Sequence, residues 1–467
     1  MFALSDIELN QTCAGLSRRD FLQAGVLGSL TLSDLLANKA LATQAGLHLK
    51  DKCVVLLFLS GGPPHIELFD PKMTAPVEYR SITGEVKTNI PGVTFGGTFP
   101  KLAKLTDKFS VVRSYASRNG GHTYHPVTTA NNPLQASMSA LYAKVAGTNH
   151  HETGMPRNTL VLPEAIDPNL KLGSNFESKA LPTLTQAGDL GASYGAFNPA
   201  GGREVNADMR LQIDPERLAD RRGLLGSLDG LRRDMDANGQ LESADKYQQQ
   251  AFDTISRGVA DAFSWAKEDP KTIARYDTRP LFDQKKLQRW GDMRRVSNLL
   301  GLQMLMARRM CEAGCGFVTV SDCGWDYHAN NNSPKNMAGI YPMGNQVDHA
   351  VSAFIEDVHQ RGLSEKILLV VTGEMGRSPR INKNGGREHY GNLTSLLVSG
   401  GGLKMGQVIG QSDRTAAEPA TRPYDPKNLM NTIMHTLFDI GQLRVTDGLS
   451  KKLVEVITNG QPIEELI

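Results

Sequence analysis

Four stretches of this chain carry residue types that could hold a metal ion or an anion. The first is Thr372 to Pro379 (TGEMGRSP), with Glu374 and Arg377, followed by Gly386 to His389 (GREH). The second is Gly324 to His328 (GWDYH). A carboxylate and an imidazole two residues apart in extended chain point to the same side, so Asp326 and His328 can chelate one ion. The third is His122 to His125 (HTYH), after Gly120 and Gly121. Two histidines three apart can share the face of a turn, a spacing that suits metal or phosphate ligation. Equally, both imidazoles could hydrogen-bond backbone carbonyls. The fourth is His65, Glu67 and Asp70, after the turn Gly61-Gly62-Pro63-Pro64. Glu374 and Arg377 have an alternative of their own, since the two could simply pair with each other in a solvated loop.

The elements that must position these groups are short apolar strands. Ile367 to Val371 is an unbroken apolar run, as is Cys53 to Ser60, and both read as strands buried on two faces. Phe109 to Ser114, Gly316 to Ser321 and Leu393 to Ser399 read as further strands. Most of them run directly into one of the polar stretches, and ligands of open α/β sheets collect beyond the carboxyl ends of strands. Met343 to Arg361 has helical spacing, with Val347, Val351, Phe354, Ile355 and Val358 on one face and Asp348 beside it, where it either supports the site or is merely solvated. Pro426 to Ile440 reads as a closing helix. Residues 150–205 are rich in Pro, Gly and Asn and read as long surface connections. Residues 214–314 read as a helical insertion in which Leu224, Leu228 and Leu231 recur at helical spacing and a Met-rich stripe serves as core, with nothing catalytic in it. The alternation follows the βα logic of an α/β fold with a parallel sheet, interrupted by a helical insertion.

Composition bounds the partners. The chain has 467 residues, 40% of them hydrophobic, and 51 basic against 49 acidic residues leave a formal net charge of +2. That balance gives no broad electrostatic footprint for nucleic acid or an anionic membrane, so any ligand is recognised locally. Residues 1–42 read as a twin-arginine signal: Ser17-Arg18-Arg19-Asp20-Phe21-Leu22, a weakly apolar stretch, then Ala40-Leu41-Ala42 as a cleavage site. The apolar stretch is too short and too polar for a membrane span. The expectation is export by the twin-arginine machinery to the periplasm or beyond, a route that carries folded proteins, often with a metal already inserted. Of five cysteines none forms a C-x-x-C pair, so a zinc knuckle or thioredoxin-type site is not supported.

Taken together, the twin-arginine start, LSGGPPH at 59–65, FDPK at 69–72, GWDYH, TGEMGRSP, GREH and GGGLKMGQ at 400–407 resemble an exported family known as domain of unknown function 1501. That family is similar to a branch of the alkaline phosphatase superfamily, which includes phosphatases and sulfatases, and the resemblance implies a single doubly wound α/β domain over residues 50–467, with a mostly parallel sheet and helices on both faces. The resemblance implies one or two divalent metals at the strand ends, facing a phosphate or sulfate ester. By position, Asp326 and His328 match the carboxylate and His of a first metal site, and His389 its late His. Glu374 falls where the superfamily has Asp-His-Gly, with Met375 in place of the His. The first strand ends in Ser60 rather than an Asp ligand, leaving Glu67 or Asp70 as substitutes and a second metal in doubt. No Cys-x-Pro-x-Arg is present, which argues against a formylglycine-dependent sulfatase.

The resulting expectation is an exported metal-dependent hydrolase acting on an anionic small-molecule or glycan ester of phosphate or sulfate. Asp326, His328, Glu374 and His389 hold one divalent ion, His122 or His125 assists, and Arg377 binds the anion, while Thr123, Thr128 and Thr129 are the nearby hydroxyl candidates for a nucleophile, ranked below attack by metal-bound water. Mixed His and carboxylate donors favour Zn or Mn. The alternative is a non-catalytic binding protein that keeps the fold with a degenerate metal site.

Overall fold

A computed structural model describes residues 48–200 and 259–467. The twin-arginine segment and the pattern at Leu224, Leu228 and Leu231 lie outside the described residues. Eleven strands occur among them: β1 (Cys53–Ser60), β2 (Glu85–Lys87), β3 (Thr94–Gly96), β4 (Ser110–Val112), β5 (Asn158–Val161), β6 (Phe317–Cys323), β7 (Ile367–Thr372), β8 (Gly376–Arg377), β9 (His389–Tyr390), β10 (Leu396–Gly400) and β11 (Val408–Ile409). Seven form one sheet in the order β11-β4-β10-β7-β1-β6-β5. β1 is central and parallel to both β6 and β7, while β10 runs antiparallel to β7 and β4. The sheet is therefore mostly parallel, as the alternation of strands and helices predicts.

All eight residues of β1 are buried, which accounts for the absence of polar alternation in its sequence. Successive side chains leave opposite faces. Val55, Leu57 and Leu59 join the core that contains α2 (Leu300–Glu312) and α3 (Ile340–Gln360). Val54 and Leu56 join the core that contains α1 (Met138–Ala146) and α4 (Pro426–Leu437). Helices thus cover both faces, and α4 starts where Asp425 accepts hydrogen bonds from the Lys427 and Asn428 N–H groups in a capping box. Met304, Met306 and Met310 of α2 are buried, as expected of a core stripe.

Two expectations need correction. The stretch 150–205 is not all surface connection: β5 lies in it, four buried residues paired in parallel with β6 at the sheet edge. Its brevity hid it. Asp348 neither supports the polar cluster described below nor stands in solvent, because its carboxylate accepts the Lys101 and Leu102 N–H groups and caps the turn Leu102–Lys104. No helix among the described residues is long and apolar enough to cross a membrane.

Candidate metal centre

The carboxyl ends of β1, β6 and β7 lie side by side, so the chain leaving each meets the others. Gly61 makes the closest approach. At φ +117°, any Cβ there would lie 2.7 Å from the Asp326 nitrogen, so only glycine lets the β1 turn rest on the strand of chain that carries Asp326. After β7, the hairpin of β8 and β9 sets Arg377 directly opposite His389. The loop after β4 delivers His122.

One ligand atom from each of His122, Asp326, His328 and His389 can be chosen so that all four lie within 4.8 Å of one another. His328 Nε2 is 3.0 Å from Asp326 Oδ1 and 2.9 Å from His389 Nε2. His122 Nε2 is 3.4 Å from Asp326 Oδ2, and His389 Nε2 is 3.8 Å from Oδ1. For metal–donor bonds of about 2.0–2.1 Å the edges of a tetrahedron are about 3.3 Å, so these separations fit one ion.

The imidazoles are oriented from behind. His122 turns Nδ1 to Glu374 Oε1 at 3.0 Å, and His328 turns Nδ1 to Glu388 Oε2 at 2.5 Å. Each Nδ1–H is thereby held by a carboxylate and each Nε2 faces the cluster, the arrangement that fixes tautomer and ring direction in metal-ligating histidines. Phe176 stacks on the His122 ring with centroids 3.9 Å apart.

Electrostatics reflect the crowding. Burial alone would lower the His122 pKa, but hydrogen bonds to Asp326 and Glu374, with their charges, raise it to about 9. The Asp326 hydrogen bond likewise raises His328. Burial works against ionisation of Asp326, yet the Arg377 charge and three imidazole hydrogen bonds hold it far below the usual carboxylate range. The other carboxylates press on one another: burial pushes Glu177 up to about 8 and Asp292 up to about 6, the latter helped by the Asp326 charge. Glu374 is fully buried, and its Oε2 has no hydrogen-bond partner. An orphaned buried carboxylate oxygen behind three imidazoles and a carboxylate fits a resident cation.

The residues singled out in the sequence separate here into layers. Asp326, His328 and His389 converge. Glu374, expected among the ligands, stands one layer out, where Oε1 accepts the Gly61 N–H at 2.9 Å and faces His122. His122, expected to assist, is in the cluster itself. His125 is not in it, and its carbonyl accepts from the Thr129 N–H and hydroxyl at the start of a helical turn. Arg377 is fully buried, and its guanidinium donates to the carbonyls of Gly61, Gly62 and Arg387 and pairs with Asp326. Glu67 forms a buried two-pronged pair with Arg387, and Asp70 pairs with Lys72 and Arg113. Neither stands in for a first-strand ligand. Thr123, Thr128 and Thr129 all donate their hydroxyls to protein acceptors. Glu388, Phe176 and Asp292 had no part in the sequence reading. Only Glu388 carried a signal, its place beside His389.

Solved structures with some similarity include the PsFucS1 sulfatase from Pseudoalteromonas sp., at 12% identity over 91% of this chain and 75% of that one with a TM-score of 0.31. Another is the phosphonate monoester hydrolase SpPMH from Silicibacter pomeroyi, at 12% identity over 88% and 78% with a TM-score of 0.30. No curated protein matches the sequence. The family model described as "Protein of unknown function (DUF1501)" matches residues 51–467, and the chain belongs to that family.

Proposed function

We propose that the protein is a metal-dependent hydrolase of phosphate or sulfate esters. The observation that carries this reading is the paired orientation of His122 and His328. Each imidazole is backed by a carboxylate at Nδ1 and offers Nε2 to a point shared with Asp326 and His389. These four side chains would hold one divalent ion, Zn or Mn, which when bound supplies Lewis acidity toward an ester oxygen and lowers the pKa of water.

The protein's own groups do the rest. With an ion displacing the second ring proton, Glu374 and Glu388 would keep His122 and His328 in the tautomer that presents Nε2 to it. Arg377 fixes the Asp326 carboxylate against the Gly61-Gly62 turn and offsets its charge. For Arg377 also to bind the substrate anion, one of its engaged donors would have to be released. Export by the twin-arginine machinery is part of the proposal and rests on residues 17–22. The substrate class is an anionic small-molecule or glycan ester.

A second reading, a binding protein with a degenerate site, draws on Glu67 and Asp70. Both are spent in ion pairs, so β1 contributes no carboxylate to a second ion. A screen of phosphate and sulfate monoesters and diesters with added Zn or Mn separates the two readings. Turnover lost in Asp326→Ala supports hydrolysis. Stoichiometric metal with no turnover of any ester supports binding alone.

A further inference from the structure

Among the described residues between 259 and 299, Asp292 faces the cluster. Asp292 sits in the short turn Gly291–Met293, whose Met293 is anchored in the core. Its N–H donates to the Asn332 carbonyl at 2.9 Å, in the loop that continues from His328. Its own carbonyl accepts from Asn175 Nδ2 at 3.1 Å, and the next residue, Phe176, is the ring stacked on His122. Asp292 is thus pinned between the two segments that border His328 and His122. Its carboxylate interacts electrostatically with Asp326, His328, His122 and Arg377, yet makes no hydrogen bond or ion pair with any described residue.

A half-buried carboxylate held by its backbone, with a free head beside an anion-handling site, is costly unless something meets it. It does not orient an imidazole, as Glu374 and Glu388 do, and it caps nothing. What it can do is discriminate. A ligand held by its ester group at the cluster must place its carrier group near this charge, which attracts a donor and repels a second anion.

We propose that Asp292 is the specificity-determining residue of the site. Its free carboxylate selects esters whose carrier group presents a hydroxyl or ammonium donor near the ester, and rejects those carrying a second anionic group. This rests on the reading of the cluster as an ester-handling metal centre. Because the carboxylate has no partner among the described residues, Asp292→Asn removes charge without orphaning any of them, and the fold should be unaffected.

The test uses the metal-loaded full chain and three matched phosphate monoesters: 2-aminoethyl phosphate, 2-hydroxyethyl phosphate and phosphoglycolate, each with its sulfate counterpart. Binding is measured by calorimetry and turnover by release of the inorganic anion. The wild type should prefer ammonium over hydroxyl over carboxylate. Asp292→Asn should compress the ammonium-to-carboxylate preference by about tenfold to a hundredfold, through Kd and KM rather than kcat. Asp292→Lys should reverse it. An order unchanged in both variants, with metal content and turnover intact, overturns the selectivity alone. A binding order that follows residue 292 with no turnover supports the selectivity and overturns the hydrolase reading. Binding of none of the esters overturns both.

Discussion

Two dense clusters of ionisable side chains among the described residues are built on opposite principles. Between α2 and α3, the buried Arg308 donates to Glu268, Glu312 and Asp357. Arg309 and Arg361 close the same carboxylates from the other side, and the Tyr276 hydroxyl takes up Asp357 Oδ2 at 2.9 Å. Every charge there meets its opposite. At the strand ends, by contrast, three imidazoles surround Asp326, further carboxylates crowd behind them, and Arg377 is the one guanidinium paired with the cluster. Glu374 keeps an unpartnered oxygen. The first cluster is complete as protein, whereas the second leaves a buried carboxylate oxygen unmet, which under the proposed reading a cation would complete. That difference, rather than the number of charges, separates scaffold from site.

Breaking the closed cluster should have the largest effect on stability. Arg308→Met leaves Asp357 and Glu268 without their central partner and should cost about 3–5 kcal/mol in denaturant unfolding, with bound metal unchanged. His389→Ala should show the reverse pattern. In metal-free protein it should cost under about 1 kcal/mol, since the ring is partly exposed. Added Zn or Mn at a hundredfold excess over Kd should stabilise the wild type by about 2.7 kcal/mol and this variant hardly at all, as read from the shift in the unfolding midpoint.

Smaller changes should sharpen the contrast. Glu388→Gln and Glu374→Gln keep the ligands but loosen an imidazole, and should weaken metal affinity about tenfold to a hundredfold in a competition titration with a chelator. The two regions should also differ in pH response. Glu268 is held down to about 2: burial opposes this, but the Arg308 hydrogen bond and charge prevail. A folded pKa below the unfolded value gives stability that is present above about 4.5 and lost as pH falls toward 2. Glu177, raised to about 8 by burial, has the opposite sign: its contribution is present in acid and lost as pH rises from about 4.5 to 8. Unfolding of Glu268→Gln and Glu177→Gln across pH should flatten the acid limb in the first case and the neutral limb in the second.

Much of the fold was legible because buried parallel strands announce themselves. Cys53–Ser60 was readable end to end, since nothing polar interrupts it. Asn158–Val161 was not, because four residues at a sheet edge carry too little pattern to stand out from the Pro- and Gly-rich chain around them. Within the site, Asp326 and His328 were readable from two-residue spacing in extended chain, which a strand end enforces. The layering of His122 and Glu374 was not readable. Which of the two faces the centre depends on Gly61, whose N–H takes the Glu374 carboxylate and turns it outward. Asp292 lay further from reach, because a residue of the turn Gly291–Met293 meets the strand ends through tertiary contacts with Asn175 and Asn332.

The most direct measurement is metal content by elemental mass spectrometry. It is made on protein purified without a histidine tag, equilibrated with Zn or Mn and freed of excess ion. About one ion per chain is expected in the wild type and in Arg308→Met, and essentially none in Asp326→Ala or His389→Ala. Folded wild type that retains no ion, or metal content that is the same in all four proteins, would contradict the account.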